Sequence, residues 1–230
     1  MLVLFDIDGT LVSVKGAGRR ALNFAIEQVT GVANALEGVR LHGGTDPVIL
    51  QEASQRHLEG PLSAAQVEQV FDLYLERLRN ELQGSDEHYD VLPGVMALVK
   101  ALVETGRHVV GLATGNIEAA AQLKLQPAGL DQYFEFGGFG SDAGHRPDLV
   151  RVGIERGQSR AQARWGRSFA PNEIVVIGDT ERDVSAAHEA GAKAMGVLAG
   201  SGFQQALRDA EPDILADSLE DPAVWRYLGL

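Results

Sequence analysis

Four aspartates carry the chemistry that this sequence can do. Asp6 and Asp8, one residue apart, end the apolar run Leu2-Val3-Leu4-Phe5 and are followed by Gly9-Thr10. Asp179 and Asp183 follow a second apolar run, Ile174–Ile177, after Gly178. Short, branched apolar runs of this kind predict strands buried on both faces. Open α/β sheets place their ligands at the carboxyl ends of such strands. Local turn chemistry accounts for part of the pattern: Asp8-Gly9 is also a hairpin signal, and Thr180 with Asp183 is also a helix capping box. Asp179 is explained by neither. Carboxylates gathered at one sheet edge repel unless a cation lies among them. An all-oxygen site in a chain without cysteine favours a hard divalent ion, magnesium before calcium when a phosphate is bound as well.

Two further stretches supply the complement. Thr114-Gly115-Asn116 follows the apolar run 108–112, where a turn opening a helix is an adequate local explanation. Arg146 precedes Pro147, a residue suited to a first helical turn, so its guanidinium starts near a helix N-terminus, a natural anion site. A hydroxyl, backbone amides and a guanidinium facing a bound cation describe a site for a phosphoryl group in transfer.

The elements that must position these residues fall into two regimes. A helix is predicted over 15–29, ended by Gly31, and another from Pro47 to about Leu58 after the loop 41–47. Ser63 with Gln66 caps a third, which carries Val67, Val70, Phe71, Tyr74, Leu78 and Leu82 at helical spacing. No strand is predicted from 14 to 84. Gly84-Ser85-Asp86-Glu87-His88 reads as a polar linker, and from Pro93-Gly94 onward helices and strands alternate. Strands are expected at 108–112, 133–136, 174–177, 194–197 and 214–215. Alternation of this kind implies a doubly wound, Rossmann-like α/β core with a parallel sheet and helices on both faces. An isolated first strand cannot bury itself, so residues 1–13 join 89–230 in that core. Residues 14–88 form an inserted helical domain.

Composition narrows the partners. Among 230 residues, 20 are basic and 32 acidic, giving a net charge of −12. Nucleic acid and anionic membrane are therefore poor partners, and any anionic substrate needs a local cation. No protein partner is indicated. No thiol chemistry exists without cysteine, and neither a leader segment nor a membrane span is read, so a cytoplasmic location is expected. Arg156, Arg160, Arg164 and Arg167 read as a solvated basic face, and Trp165 and Trp225 as packing residues.

The set Asp6-x-Asp8-Gly9-Thr10, Thr114-Gly115-Asn116, Arg146-Pro147 and Gly178-Asp179-x-x-x-Asp183 resembles the four motifs of the haloacid dehalogenase superfamily. The helical insert resembles the C1 cap of its phosphoglycolate phosphatase and β-phosphoglucomutase branch. The resemblance implies that Asp6 is a nucleophile forming an aspartyl phosphate and that Asp8 is the general acid and base, oriented by Thr10. It implies Mg²⁺ held by Asp6, the backbone carbonyl of Asp8 and Asp179, with Asp183 in or just behind that set. Thr114, Gly115, Asn116 and Arg146 would bind the phosphate of a small phosphorylated metabolite. The cap loop His42, Gly43, Gly44 and Thr45 would choose the substrate. The superfamily usually has lysine where Arg146 stands; His145 and Lys124 are the other candidates for that role. Asp8 argues against halide displacement, because a departing halide needs no proton. The only lysines are 15, 100, 124 and 193, and none lies in the cap loop, which argues against Schiff-base phosphonate chemistry. A mutase of the β-phosphoglucomutase type usually has a cap-loop arginine where this chain has Asp46. A phosphatase is the leading expectation, followed by a mutase, then a non-catalytic binding protein on the same fold.

Overall fold

The computed structural model describes residues 1–83 and 89–230. The polar linker expected at 84–88 lies outside the described residues. Strand β1 (Leu2–Phe5) is fully buried and lies at the centre of the sheet. It pairs in parallel with β4 (Val109–Thr114) on one side and β6 (Ile174–Gly178) on the other, Leu2 standing opposite both Val109 and Ile174. The strands β5 (Gly137–Phe139), β7 (Lys193–Val197) and β8 (Ile214–Ala216) complete a six-stranded parallel sheet in the order β5-β4-β1-β6-β7-β8. Alternate residues of β1 serve opposite cores: Val3 and Phe5 pack into one apolar cluster, Leu2 and Leu4 into the other. This period-two division is what a doubly wound sheet requires. The α/β core expected from the alternation is the observed fold.

Between β1 and the rest of the sheet the chain forms α1 (Ala17–Thr30), α2 (Asp46–His57) and α3 (Ala64–Leu82). Ala21, Leu22, Ala25 and Ile26 of α1 share a core with Val70, Tyr74 and Leu78 of α3. The Ser63–Gln66 capping box forms as expected. A two-stranded antiparallel ribbon was not expected: β2 (Val12–Ser13) pairs with β3 (Asp90–Val91), joining the two crossings between sheet and helices. In the sheet layer follow α4 (Val95–Glu104), α5 (Glu118–Leu125), α6 (Arg146–Trp165), α7 (Glu181–Glu189), α8 (Gln204–Asp209) and α9 (Pro222–Leu228).

The expected strand at 133–136 is displaced. Asp131–Tyr133 forms a 3₁₀ turn, and the strand runs over Gly137–Phe139. Its glycines are there for packing, since a Cβ on Gly138 would fall 1.7 Å from the carbonyl oxygen of Leu149 in α6. The basic face of α6 and its neighbourhood is occupied locally: Arg156 pairs with Asp142, Arg167 with Glu173, and Arg160 and Arg164 lie over the rings of Phe136 and Trp165. Among the described residues no helix is long and apolar enough to cross a membrane.

Candidate active site

The central strands deliver their carboxyl ends to one place. The amide of Asp6 donates to the Ile177 carbonyl at 2.9 Å, so Asp6 leaves the sheet beside the end of β6, where Asp179 follows. Carboxylate oxygens of Asp6, Asp179 and Asp183 lie within 4.8 Å of one another, and all three residues are buried. Gly9 makes this approach possible: its φ is +82°, and a Cβ there would lie 2.3 Å from Asp179 Oδ2. The Asp8-Gly9 turn and the site are therefore one feature.

One cation serves this cluster from the protein itself. Arg146, first residue of α6 and 7% exposed, places Nη2 2.9 Å from Asp6 Oδ2 and donates Nε and Nη2 to Asp183 Oδ1. The other oxygen of Asp183 accepts from the Thr180 amide at 3.0 Å and its hydroxyl at 2.6 Å, completing the capping box of α7. Asp183 thus anchors Arg146. Arginine suits this double role because its planar fork reaches two carboxylates at once. His145 is two-thirds exposed and pairs with Asp148, so it does not stand in for Arg146.

Thr10 does not orient Asp8. Past the turn at Gly9 its hydroxyl points back over the sheet and donates to Asp179 Oδ1 at 3.3 Å. Asp8 is held from the opposite side. Its Oδ2 accepts from Asn116 Nδ2 at 2.8 Å and Lys124 Nζ at 2.6 Å, and its Oδ1 accepts from Lys124 at 2.9 Å. Lys124 is 4% exposed and also donates to Asn116 Oδ1 at 2.6 Å. It is bound to Asp8 and Asn116, whereas Arg146 holds Asp6. Thr114 is the last residue of β4, two positions beyond the expected strand end, and its hydroxyl oxygen accepts from both Asn116 Nδ2 and the Asn116 amide. Thr114 lines the cavity, and its hydroxyl proton has no acceptor among the described residues.

Residues 42–46 meet the loops at the sheet edge here. The Asp46 amide donates to the Gly115 carbonyl at 2.8 Å, and Asp46 Oδ2 accepts from the Ile117 amide at 2.9 Å. Thr45 Oγ1 donates to the Gly144 carbonyl at 3.0 Å, and His42 meets the Phe203 ring edge to face. A Cβ on Gly115 would lie 2.0 Å from the Gly44 carbonyl oxygen, and one on Gly43 2.7 Å from Arg182 Cδ. His42, Gly43 and Gly44 line a cavity of about 450 Å³ together with Asp6, Asp8 and Arg146; Thr45, 2% exposed, is fixed behind them.

The electrostatics ask for a second cation. Burial, with Asp183 and Asp6 close by, pushes the Asp179 carboxyl up to about 9 from the ordinary 3.8. Burial raises Asp6 to about 6 against the pull of Arg146. For Arg146, burial favours loss of the proton, but Asp183 and Asp6 together outweigh it and the charge is held more firmly. Three carboxylates facing one guanidinium fit a hard divalent ion, with Asp6 and Asp179 turned toward the cavity and Asp183 engaged behind them. A prediction follows for the chelator-treated protein. The folded carboxyls keep protons that the unfolded chain loses above pH 3.8, so stability falls as pH rises through about 6 and toward about 9. The melting temperature with EDTA should decline between roughly pH 5 and 9, and added magnesium should raise it most at the alkaline end. A flat profile with no magnesium response would contradict this electrostatic account.

A model of the haloacid dehalogenase-like hydrolase family matches residues 1–191. The chain belongs to this family. It is 28% identical over 225 residues to a probable phosphatase, IndB, of Dickeya dadantii, covering 96% of this chain and 90% of that relative. It is 26% identical over 230 residues to a phosphoglycolate phosphatase of Yersinia pestis, covering 96% and 92%. The crystal structure of a predicted phosphoglycolate phosphatase from Haemophilus somnus superposes with a TM-score of 0.69 at 21% identity, covering 98% of this chain and 97% of that one. The match to the haloacid dehalogenase-like hydrolases runs through all four motif regions. Two buried side chains of the site lay outside the expected roles: Lys124 as partner of Asp8, and Asp46 as the clasp on the loop after β4. Lys124 falls in helical phase with the apolar positions Ile117, Ala120 and Ala121, and a lysine on that buried face is the signal that marks it.

Proposed function

We propose that this protein is a magnesium-dependent phosphatase of small phosphorylated metabolites that works through an aspartyl phosphate on Asp6. One observation carries the reading: two carboxylates one residue apart sit in opposite settings. Asp6 is buried against Arg146, and Asp8, its side chain 43% exposed, faces the cavity in the grip of Lys124 and Asn116. Divided environments of this kind separate a nucleophile from an acid–base group. The names of the two relatives support the choice of a phosphate ester as substrate.

In this reading an Asp6 oxygen attacks phosphorus as the ester oxygen departs, and Asp8 gives that oxygen a proton. Asp8 then takes a proton from the water that attacks the aspartyl phosphate, releasing inorganic phosphate and restoring Asp6. The Thr114 hydroxyl, the amides after it and Arg146 bind the phosphoryl oxygens and neutralise charge as it develops. Asp6, the Asp8 carbonyl and Asp179 would hold magnesium, with Asp183 behind them, and the ion would supply further positive charge to the phosphoryl group. Thr10 would steady Asp179. Residues 14–88 act as a cap whose loop at His42–Thr45 sets the shape of the entrance. A mutase is disfavoured by Asp46, whose carboxylate is committed to the Ile117 amide where a sugar-binding cation would be needed.

The decisive assay is release of p-nitrophenol from p-nitrophenyl phosphate. Turnover should require magnesium, fall to background with EDTA and return on re-addition of the ion. A protein with no turnover at any magnesium concentration would instead be a binding protein on this fold.

A further inference from the structure

Tyr74, midway along α3, offers its hydroxyl to the cavity. The side chain is 1% exposed, lines the cavity, and makes no hydrogen bond to any other described residue. The hydroxyl opens onto the cavity rather than into packed protein, so a group that arrives there is its natural acceptor. Burial, reinforced by Asp46 and Asp8, pushes the phenol well above its ordinary range, which keeps it a donor.

The start of α1 faces the same space. Lys15, Gly16, Gly18 and Arg19 line the cavity, the capping position Gly16 has no side chain to offer, and the first turn contains no acid. The amides of Gly18 and Arg19 have no carbonyl partner among the described residues. Gly18 is the junction: a Cβ on it would lie 3.8 Å from Tyr74 Oη and 3.5 Å from Lys124 Nζ. Lys124 is already engaged by Asp8 and Asn116, while the Arg19 guanidinium has no acidic partner among the described residues. The Tyr74 hydroxyl, the two amides and the Arg19 guanidinium can all donate into this space. Such a set recognises an anion.

We propose that Tyr74, the Gly18 and Arg19 amides and the Arg19 side chain form a leaving-group subsite, which takes a second anionic group on the alcohol half of the substrate. The inference rests on the phosphatase reading of the same cavity. A volume of about 450 Å³ keeps that alcohol small. A carboxylate and a second phosphate share the required chemistry.

The test compares kcat/KM on three monoesters: ethyl phosphate, 2-phosphoglycolate and propane-1,3-diol bisphosphate. The wild type should prefer one or both charged esters over ethyl phosphate by about tenfold or more. Tyr74→Phe keeps the ring and loses no existing hydrogen bond, so the fold is retained. It should cut that preference about tenfold, mainly through KM, and Arg19→Gln should cut it further. Whichever charged ester loses more identifies the second group as carboxylate or phosphate. A wild type that hydrolyses p-nitrophenyl phosphate without any preference for the charged esters overturns the subsite. So does an equal loss on all three esters in Tyr74→Phe, which would mark a purely structural role. Absence of wild-type turnover on p-nitrophenyl phosphate removes the phosphatase reading and the subsite together, an outcome distinct from turnover without preference.

Discussion

Asp6→Asn should reduce turnover by about 10⁴-fold or more while leaving the protein folded. An amide oxygen is too poor a nucleophile to open the phosphate ester, and the neighbouring carboxylates are engaged elsewhere, Asp8 by Lys124 and Asn116. Asp179 is bound to Thr10, and Asp183 is committed to Arg146 and Thr180. The fold should tolerate the change because the backbone N–H of residue 6 donates a hydrogen bond to the Ile177 carbonyl, which asparagine keeps. Removing one charge from the cluster also relieves repulsion with Asp179 and Asp183. The melting temperature of the chelated variant should therefore equal or exceed that of the wild type. Steady-state assays beside thermal unfolding separate the two effects. A variant that keeps turnover within tenfold of wild type would remove Asp6 from the chemistry.

Asp8→Asn should lose about 10²- to 10⁴-fold in turnover, with the loss greater on alkyl esters than on p-nitrophenyl phosphate. A nitrophenolate departs without a proton, whereas an alkoxide does not. The second half-reaction also needs a base, so the phosphoryl group should accumulate on Asp6 and be recoverable from acid-quenched protein by mass spectrometry. Asparagine is preferred to alanine here because Lys124 is buried and an amide oxygen still accepts from it. Near-wild-type rates on ethyl phosphate would assign the proton transfers to another group.

The motif residues were legible because strand ends are legible. Four-residue apolar runs closed by Asp-x-Asp or Gly-Asp declare both a buried parallel strand and what hangs from its end, and β1 and β6 formed as read. Capping boxes at Ser63 and Thr180 were likewise visible, since each is completed within four residues. Contacts between distant segments were not. Thr10 could be placed next to Asp8 along the chain, but only the backbone turn at Gly9 shows that its hydroxyl faces Asp179. Gly137 and Gly138 carry turn composition, yet they form a strand because α6 packs against their bare backbone. Tyr74 read as one more apolar position on α3, and its helical spacing holds no information about the fate of its hydroxyl. The two-residue strands β2 and β3 are shorter than any period that a pattern can reveal.

That short ribbon has a topological consequence. Val12 stands opposite Val91, Ser13 opposite Asp90, and the Leu92 amide donates to the Leu11 carbonyl at 3.0 Å. The chain therefore departs for the helices and returns from them through neighbouring positions, so the sheet experiences everything between as though it were a hairpin loop. Lengthening such a loop costs the core little, about 0.6 kcal/mol for each doubling. The stem at 11–13 and 90–92 is consequently a graft point. Helical segments exchanged there would meet the same two-stranded stub and leave the register of β1 between β4 and β6 undisturbed, which makes the helical insert a cassette and the sheet its socket.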